Sequence, residues 1–266
     1  MIGLYDTQTT GTVGWRLFQL GTGDKIPVLH ALTAESDTFP MPVRLDPLPE
    51  SFRYLYATLE AEIGRERGEK GVTGTGYILG VTSAVQGEGV STVALHLARA
   101  AAAATFKRVA IVELSLSQPV LAARVGAGDS PLSDAGAVSL LENTDPTVPV
   151  LRLASDAELY LLPAGRLPQN PSRSARSPRL ADLLAAARTE FDLVIIDMPA
   201  VASDNAHPLA AHTNGVAFVV RAGVTPRTTV SHAMERVGRH LVRGVVMNDV
   251  HSPVSPDLRR RLLAEA

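Results

Sequence analysis

The sequence contains no cysteine and only three lysines, Lys25, Lys70 and Lys107. Without cysteine, the chain cannot form a disulfide, a zinc–thiolate site or a cysteine nucleophile. It also lacks a run of about 18 apolar residues, so the sequence predicts no transmembrane helix. The first thirty residues have no basic start followed by an apolar block, so no secretory signal is expected. These absences favour a cytoplasmic protein.

Charge and composition limit the function classes and the domain count. The formal net charge of -2 predicts no strong attraction to nucleic acid or anionic lipid. A chain of 266 residues with 45% hydrophobic content can form one sizeable core. We expect an N-terminal extension over 1–47, partly flexible, one main domain over 48–250 and a tail or short helix over 251–266.

From Tyr77 onwards, apolar runs alternate with helical patterns. The predicted strands are 77–82, 108–114, 191–197, 215–220 and 243–247, and the predicted helices are 50–64, 91–105 and 178–188. Fully apolar strands suit a mostly parallel sheet with helices on both faces, and the alternation predicts a doubly wound α/β fold. The charged, glycine-rich residues 65–75 are expected to form an exposed connection.

A glycine-rich loop, GVTSAVQGEGVST over residues 80–92, lies between a predicted strand and a predicted helix. Glycines such as Gly87 and Gly89 let backbone N–H groups turn inward around an anion, and the helix N-terminus adds partial positive charge. A working phosphate-binding loop also needs a lysine after the last glycine and a neighbouring Ser or Thr for magnesium. Here Val90 takes the lysine position, while Ser91 and Thr92 are kept. On this pattern alone a plain tight turn remains an alternative.

Val90 can neither carry charge nor donate a hydrogen bond from its side chain. Removing one cation about 4 Å from a phosphate oxygen costs on the order of a few kcal/mol, so ATP or ADP, with magnesium, is expected to bind weakly or not at all. Glu88 is expected to add a negative charge that no lysine in the loop offsets. An arginine from elsewhere, or from a partner, could substitute.

At this point the sequence resembles the bacterial tyrosine kinases (BY-kinases) of capsule and exopolysaccharide synthesis, within the wider MinD/ParA-like superfamily of P-loop NTPase-like folds. The resemblance covers roughly residues 48–250. It is carried by LPAG at 162–165 with PQNP at 168–171, by FDLVIID with the following Met-Pro at 191–199, by the loop at 81–92, by ESFR at 50–53 and by GVVMN at 244–248. The Pro-Ala-Gly and Asn-Pro pattern is the most specific of these.

The resemblance implies a set of site residues. Nucleotide-binding positions, vestigial or weak, would be Gly87, Gly89, Val90, Ser91, Thr92 and Asn248, and a possible magnesium site would use Ser91, Asp197 and Glu113. Asn248 corresponds to the asparagine that contacts adenine in related proteins. From the residues alone, Asp197 could instead cap a turn, and Asn248 could be ordinary turn chemistry.

The departures from the family pattern fall at chemical positions. Where the family has Asp-x-Asp-x-Arg, this chain has Glu113, Ser115 and Ser117. Tyr56 replaces the last arginine of the family's Glu-x-x-Arg-x-x-Arg helix, which forms its ring contact. No tyrosine follows Tyr160 in the sequence, so the tyrosine-rich tail of the family is not expected. Because phosphoryl transfer depends on lysine, magnesium and carboxylates, no residue is assigned a catalytic role.

The resulting hypothesis is a degenerate kinase-like P-loop protein, a pseudoenzyme of exopolysaccharide or capsule synthesis or export. It would lie at the inner face of the cell membrane through a membrane-anchored co-polymerase or chain-length regulator, as a homo-oligomer or with a related ATPase, without nucleic acid. The alternatives are an active ATPase or protein-tyrosine kinase with a compensated loop, and a positioning ATPase of the ParA/MinD type.

Overall fold

The computed structural model describes most of the chain between residues 47 and 249. The described ranges are 14–19, 30–32, 47–70, 76–104, 107–127, 134–144, 147–153, 158–203 and 205–249. The predicted tail at 251–266 lies outside the described residues, as does most of the extension at 1–47.

Strands and helices follow one another along the described residues. The strands are β1 Gly14–Gln19, β2 His30–Leu32, β3 Tyr77–Ser83, β4 Val109–Glu113, β5 Thr147–Arg152, β6 Leu159–Leu162, β7 Leu193–Asp197, β8 Gly215–Arg221 and β9 Val242–Asn248. The helices are α1 Glu50–Lys70, α2 Val90–Ala104, α3 Leu121–Arg124, α4 Ala137–Leu141, α5 Pro171–Ser174, α6 Arg179–Glu190, α7 Ala206–Ala210 and α8 Arg227–Val237.

The strands form one sheet in the order β2-β1-β5-β6-β4-β7-β3-β8-β9. The pairs from β6 through β9 are parallel, whereas β5 pairs antiparallel with β6 and with β1, and β1 pairs antiparallel with β2. The doubly wound, mostly parallel α/β fold is therefore confirmed, with an antiparallel extension at one edge. Parallel strands end at the same edge, so the ends of β3, β4 and β7 lie side by side.

The sheet is buried on both faces because its central strands are apolar throughout. Every residue of β3, β4 and β7 is buried. Alternate residues point to opposite faces, so Ile78 joins one core cluster with α6 and α8, and Leu79 joins the other with α1 and α2. Helices therefore cover the central strands on both faces of the sheet, and the loops that follow these strands begin from buried residues.

Helix α1 is longer than predicted. The segment 65–70, expected to be an exposed connection, continues the helix to Lys70. Glu66 accepts hydrogen bonds from Tyr77 Oη at 2.8 Å and from Arg243 Nε at 2.9 Å, and burial raises the pKa of Tyr77 to about 12. The charged residues of this segment predict solvent exposure. The sequence does not reveal that Glu66 binds Arg243, because the two residues are 177 positions apart.

Tyr56 lies on the inner face of α1 and is buried against the core, where its hydroxyl donates to Glu60 Oε1 at 3.0 Å. Its ring therefore stabilises the packing of α1 within the subunit. Among the residues that the structure describes, no helix combines the length and the apolar character needed to cross a membrane.

Candidate nucleotide site

A cavity of about 640 Å³ opens at the carboxyl ends of β3, β4 and β7. Its lining includes most of the predicted nucleotide-binding residues, namely Gly87, Gly89, Val90 and Ser91, together with Ser115, Ser117, Gln118 and Arg124 on the opposite wall. Thr92 and Asn248 are not among the lining residues. The cavity has room for a phosphate-sized group, and nucleotide binding there stays a prediction.

The loop before α2 has a backbone that suits anion binding. Gly87 and Gly89 adopt positive φ angles of 85° and 92°, in the region that glycine enters at little cost. A Cβ atom on Gly89 would lie 2.2 Å from Asn248 Nδ2, whereas nothing lies within 4 Å of one on Gly87. Gly89 is thus favoured by its backbone angle, and a Cβ atom there would displace the Asn248 amide group from its place against the loop.

Glu88 points away from the cavity and is 2% exposed. Its Oε2 accepts from the backbone N–H of Ala84 at 3.0 Å and of Val85 at 3.2 Å, and its Oε1 accepts from Arg221 N at 3.0 Å and Thr225 Oγ1 at 2.6 Å. These donors are all neutral groups, so they hold the carboxylate in place without cancelling its charge, and the expected negative charge beside the loop stays a prediction. Its carboxylate joins the loop to the end of β8.

Asn248 supports the loop from the last strand. Its Nδ2 donates to the carbonyl oxygen of Glu88 at 2.8 Å. This contact accounts for the side chain without any ligand. The contact with adenine inferred from the resemblance remains a prediction.

Val90 begins α2 at the place where a cation would face the loop. Its side chain is half-buried, lines the cavity and packs against the cluster that contains α1 and α2. Ser91 follows it and lines the same cavity. Thr92 accepts a hydrogen bond from Arg124 Nη1 at 2.5 Å. The loop therefore presents backbone groups and hydroxyls to the cavity, but its lysine position is apolar.

Asp197, at the end of β7, is fully buried, and neither carboxylate oxygen has a hydrogen-bond partner among the described residues. Burial raises its pKa to about 7, against the opposing effect of the Ser91 hydroxyl; the nearby charge of Glu113 raises it further and Arg124 lowers it. A buried, unpartnered carboxylate beside a hydroxyl is a donor set that fits magnesium. Within the described part of the chain, no three His, Cys, Asp or Glu side chains cluster as metal ligands. A metal here would therefore complete its shell with water or phosphate oxygens.

Glu113, at the end of β4, is directly opposite Asp197 in the sheet register. Its Oε1 accepts from the N–H groups of Val120 and Leu121, each at 2.6 Å, and its Oε2 accepts from Ala164 N at 3.0 Å. Burial raises its pKa, and these N–H groups oppose that effect. The carboxylate thus connects the start of α3 and the Pro-Ala-Gly segment to the end of β4 by hydrogen bonds.

Sequence reasoning did not identify Arg124, which lies in the last turn of α3 and faces the cavity. No motif marks it. A larger cleft of about 770 Å³ lies elsewhere, lined by Arg166, Arg173, Arg176 and Arg179 with Glu142. It contains none of the predicted site residues.

No protein-family model matches the chain. The succinoglycan biosynthesis transport protein ExoP of Rhizobium meliloti is 29% identical over 177 residues, covering 64% of this chain and 22% of ExoP. The tyrosine-protein kinase CpsD of Streptococcus agalactiae is 26% identical over 182 residues, covering 67% of this chain and 77% of CpsD. The putative tyrosine-protein kinase EpsB of Ralstonia nicotianae is 31% identical over 209 residues, covering 76% of this chain and 26% of EpsB.

Solved structures give the same grouping. The VpsO kinase domain matches with a TM-score of 0.58 and 25% identity, covering 76% of this chain and 98% of that domain. The kinase domain of the Escherichia coli tyrosine kinase ETK matches in fold with a TM-score of 0.62 at 20% identity, over 80% of this chain and 85% of that one. MinD of Pyrococcus horikoshii, solved with Mg-ADP, reaches 0.51 at 17% identity, over 70% and 76%. The homologues of this chain are therefore bacterial tyrosine kinases, and its fold is that of the kinase domains and MinD-like P-loop ATPases.

Proposed function

We propose that the protein is a kinase-like P-loop protein of exopolysaccharide or capsule synthesis or export that no longer transfers a phosphoryl group. The observation that carries this proposal is Val90 at the first position of α2, inside an otherwise intact loop. Phosphoryl transfer needs a cation on the phosphates and carboxylates on magnesium. Here the loop position is apolar.

The carboxylate side of the site supports the same proposal. Glu113 uses both oxygens on backbone N–H groups, and Ser115 brings no charge to the cavity. We therefore keep Asp197 and Ser91, and not Glu113, as proposed magnesium ligands. A magnesium ion held there would bring charge neutralisation, but one carboxylate and one hydroxyl make a weak site.

A protein without phosphoryl transfer would act by binding. We propose that it docks to a membrane-anchored chain-length regulator at the inner face of the membrane, since its relatives include a succinoglycan biosynthesis transport protein and a tyrosine-protein kinase. Binding is testable directly, by interferometry between the full chain and the immobilised cytoplasmic segments of a chain-length regulator from the same organism. A pair with no measurable affinity contradicts this part of the proposal.

The catalytic part is tested by phosphate release and tyrosine phosphorylation with ATP and magnesium. The wild type should release no more phosphate than Asp197→Ala, because both lack a complete set of charged groups. Val90→Met is the uncharged control for Val90→Lys, which restores a cation. Turnover by the wild type that disappears in Asp197→Ala would instead establish an active ATPase or kinase.

A further inference from the structure

The cavity beside the loop contains one charged side chain among its described lining residues, and that side chain is Arg124. We propose that Arg124 supplies, from α3, the positive charge that Val90 lacks, so that the cavity binds the diphosphate group of a nucleotide. The proposal concerns the same cavity as the proposed function and assigns to it a binding residue for the nucleotide already considered there.

The position of Arg124 is set by its contact with α2. Its Nη1 donates to Thr92 Oγ1 at 2.5 Å, so the guanidinium lies beside the first turn of that helix. A helix N-terminus carries partial positive charge, and a cation placed there is unfavourable unless an anion lies between them. The arrangement is therefore one that a bound phosphate would stabilise.

Arg124 also keeps donors available. A guanidinium has five N–H donors in a planar fork, and one of them is used on Thr92. No ion pair joins Arg124 to a carboxylate in the described ranges, although the charge of Asp197 is close enough for the two to affect each other. Bidentate binding of a phosphate is the arrangement that best uses such a fork.

Glu113 fixes where Arg124 lies. By accepting from the N–H groups of Val120 and Leu121, it holds the start of a four-residue helix whose last residue is Arg124. The structure thus links the carboxylate to the new cation through α3. Glu113 is a positioning residue in this account, whereas Arg124 contacts the ligand.

The test is calorimetric titration of the full chain with ADP and with inorganic pyrophosphate, without magnesium. Arg124→Gln should weaken both by about tenfold or more, since a charge-assisted contact is lost. Arg124→Lys should retain part of the affinity. The double variant Val90→Lys with Arg124→Gln should recover it, which a merely structural role for Arg124 would not produce. Arg179→Gln, in the separate arginine-lined cleft, is the control of equal charge.

The outcomes separate cleanly. Equal affinity of Arg124→Gln and wild type, or no wild-type binding of either ligand at about 10 mM, overturns the inference. Pyrophosphate binding equal to ADP binding shows that the diphosphate alone is recognised, and tighter ADP binding adds the nucleoside; both support it. Turnover of ATP is measured separately, so an active enzyme would defeat the proposed function while leaving the role of Arg124 standing. Urea unfolding confirms that each variant is folded.

Discussion

Two buried carboxylates lie opposite each other in neighbouring strands, and their surroundings differ completely. Glu113 accepts three backbone hydrogen bonds, whereas Asp197 accepts none among the described residues. Both pKa values are raised by burial. The comparison teaches that equal burial does not mean equal roles, because one carboxylate takes part in the hydrogen bonding of the fold and the other has no hydrogen-bond partner among the described residues.

The largest expected effect is the loss of stability when the Glu113 carboxylate is removed. Glu113→Met keeps the approximate volume but leaves three backbone N–H groups without an acceptor, two of them buried and that of Val120 part-buried, which should lower the free energy of unfolding by roughly 4 kcal/mol. Urea denaturation measures it. Glu113→Gln, which retains one acceptor oxygen, should lose less. A Met variant as stable as wild type would show that these hydrogen bonds contribute little.

The next effect distinguishes Asp197 through its pH dependence. The pKa of Asp197 is raised from 3.8 to about 7 in the folded protein. The stabilisation that comes from the protonated carboxyl group is therefore fully present below the pKa of the unfolded chain and is lost as the pH rises through the pKa of the folded protein. Between about pH 4 and pH 7, wild type should lose up to roughly 4 kcal/mol that Asp197→Asn does not lose. Denaturation in magnesium-free buffer across this range measures the difference, and parallel curves for the two proteins would contradict it.

Adding magnesium should reverse part of that loss. At pH 8 the ionised Asp197 can hold the cation with Ser91, so wild type should gain thermal stability with magnesium and Asp197→Asn should not. A shift of a few degrees is expected at millimolar magnesium, measured by differential scanning fluorimetry, with calcium as a size control. An identical shift in both proteins would place the ion elsewhere.

The smallest expected effect is the change in the pH dependence of stability when a cation is placed near Asp197 but not near Glu113. Val90→Lys places an ammonium group in the cavity, which should lower the pKa of Asp197 by about one unit and reduce its pH-dependent stability loss by about 1 kcal/mol. The cost of Glu113→Met should remain unchanged in this background. Val90→Met controls for the change of shape, and a pH profile identical in both variants would mean that the lysine does not reach the cavity.

Most of the fold could be predicted from the sequence because its central strands are continuous apolar runs. The apolar runs at 77–82 and 191–197 predict buried strands, and β3 and β7 are confirmed close to those bounds. Strand β5 escaped prediction, since Thr147–Arg152 is short and contains Pro149. Its place in the sheet depends on β1 and β6, which no local pattern reveals.

The site was predictable where it is local in sequence and unpredictable where it is not. Gly87, Gly89, Val90 and Ser91 are neighbours, so their spacing predicts a common loop. The contact of Glu113 with Ala164 spans 51 residues, and the contact of Arg124 with Thr92 spans 32. Such contacts depend on how β4, α2 and α3 pack. The sequence therefore shows that the loop lacks its lysine, but it does not show that Arg124 lies beside the same cavity.

The hydrogen bonds of Glu88 have a consequence for the affinity of a ligand. Because its two oxygens hold Ala84 and Val85 on one side and Arg221 and Thr225 on the other, the loop keeps its shape without a ligand. A ligand entering a preordered loop loses little affinity to ordering entropy. The amide protons of Ala84 and Val85 should accordingly exchange slowly with deuterated solvent in the free protein. An anion that binds there would not need to order the loop first.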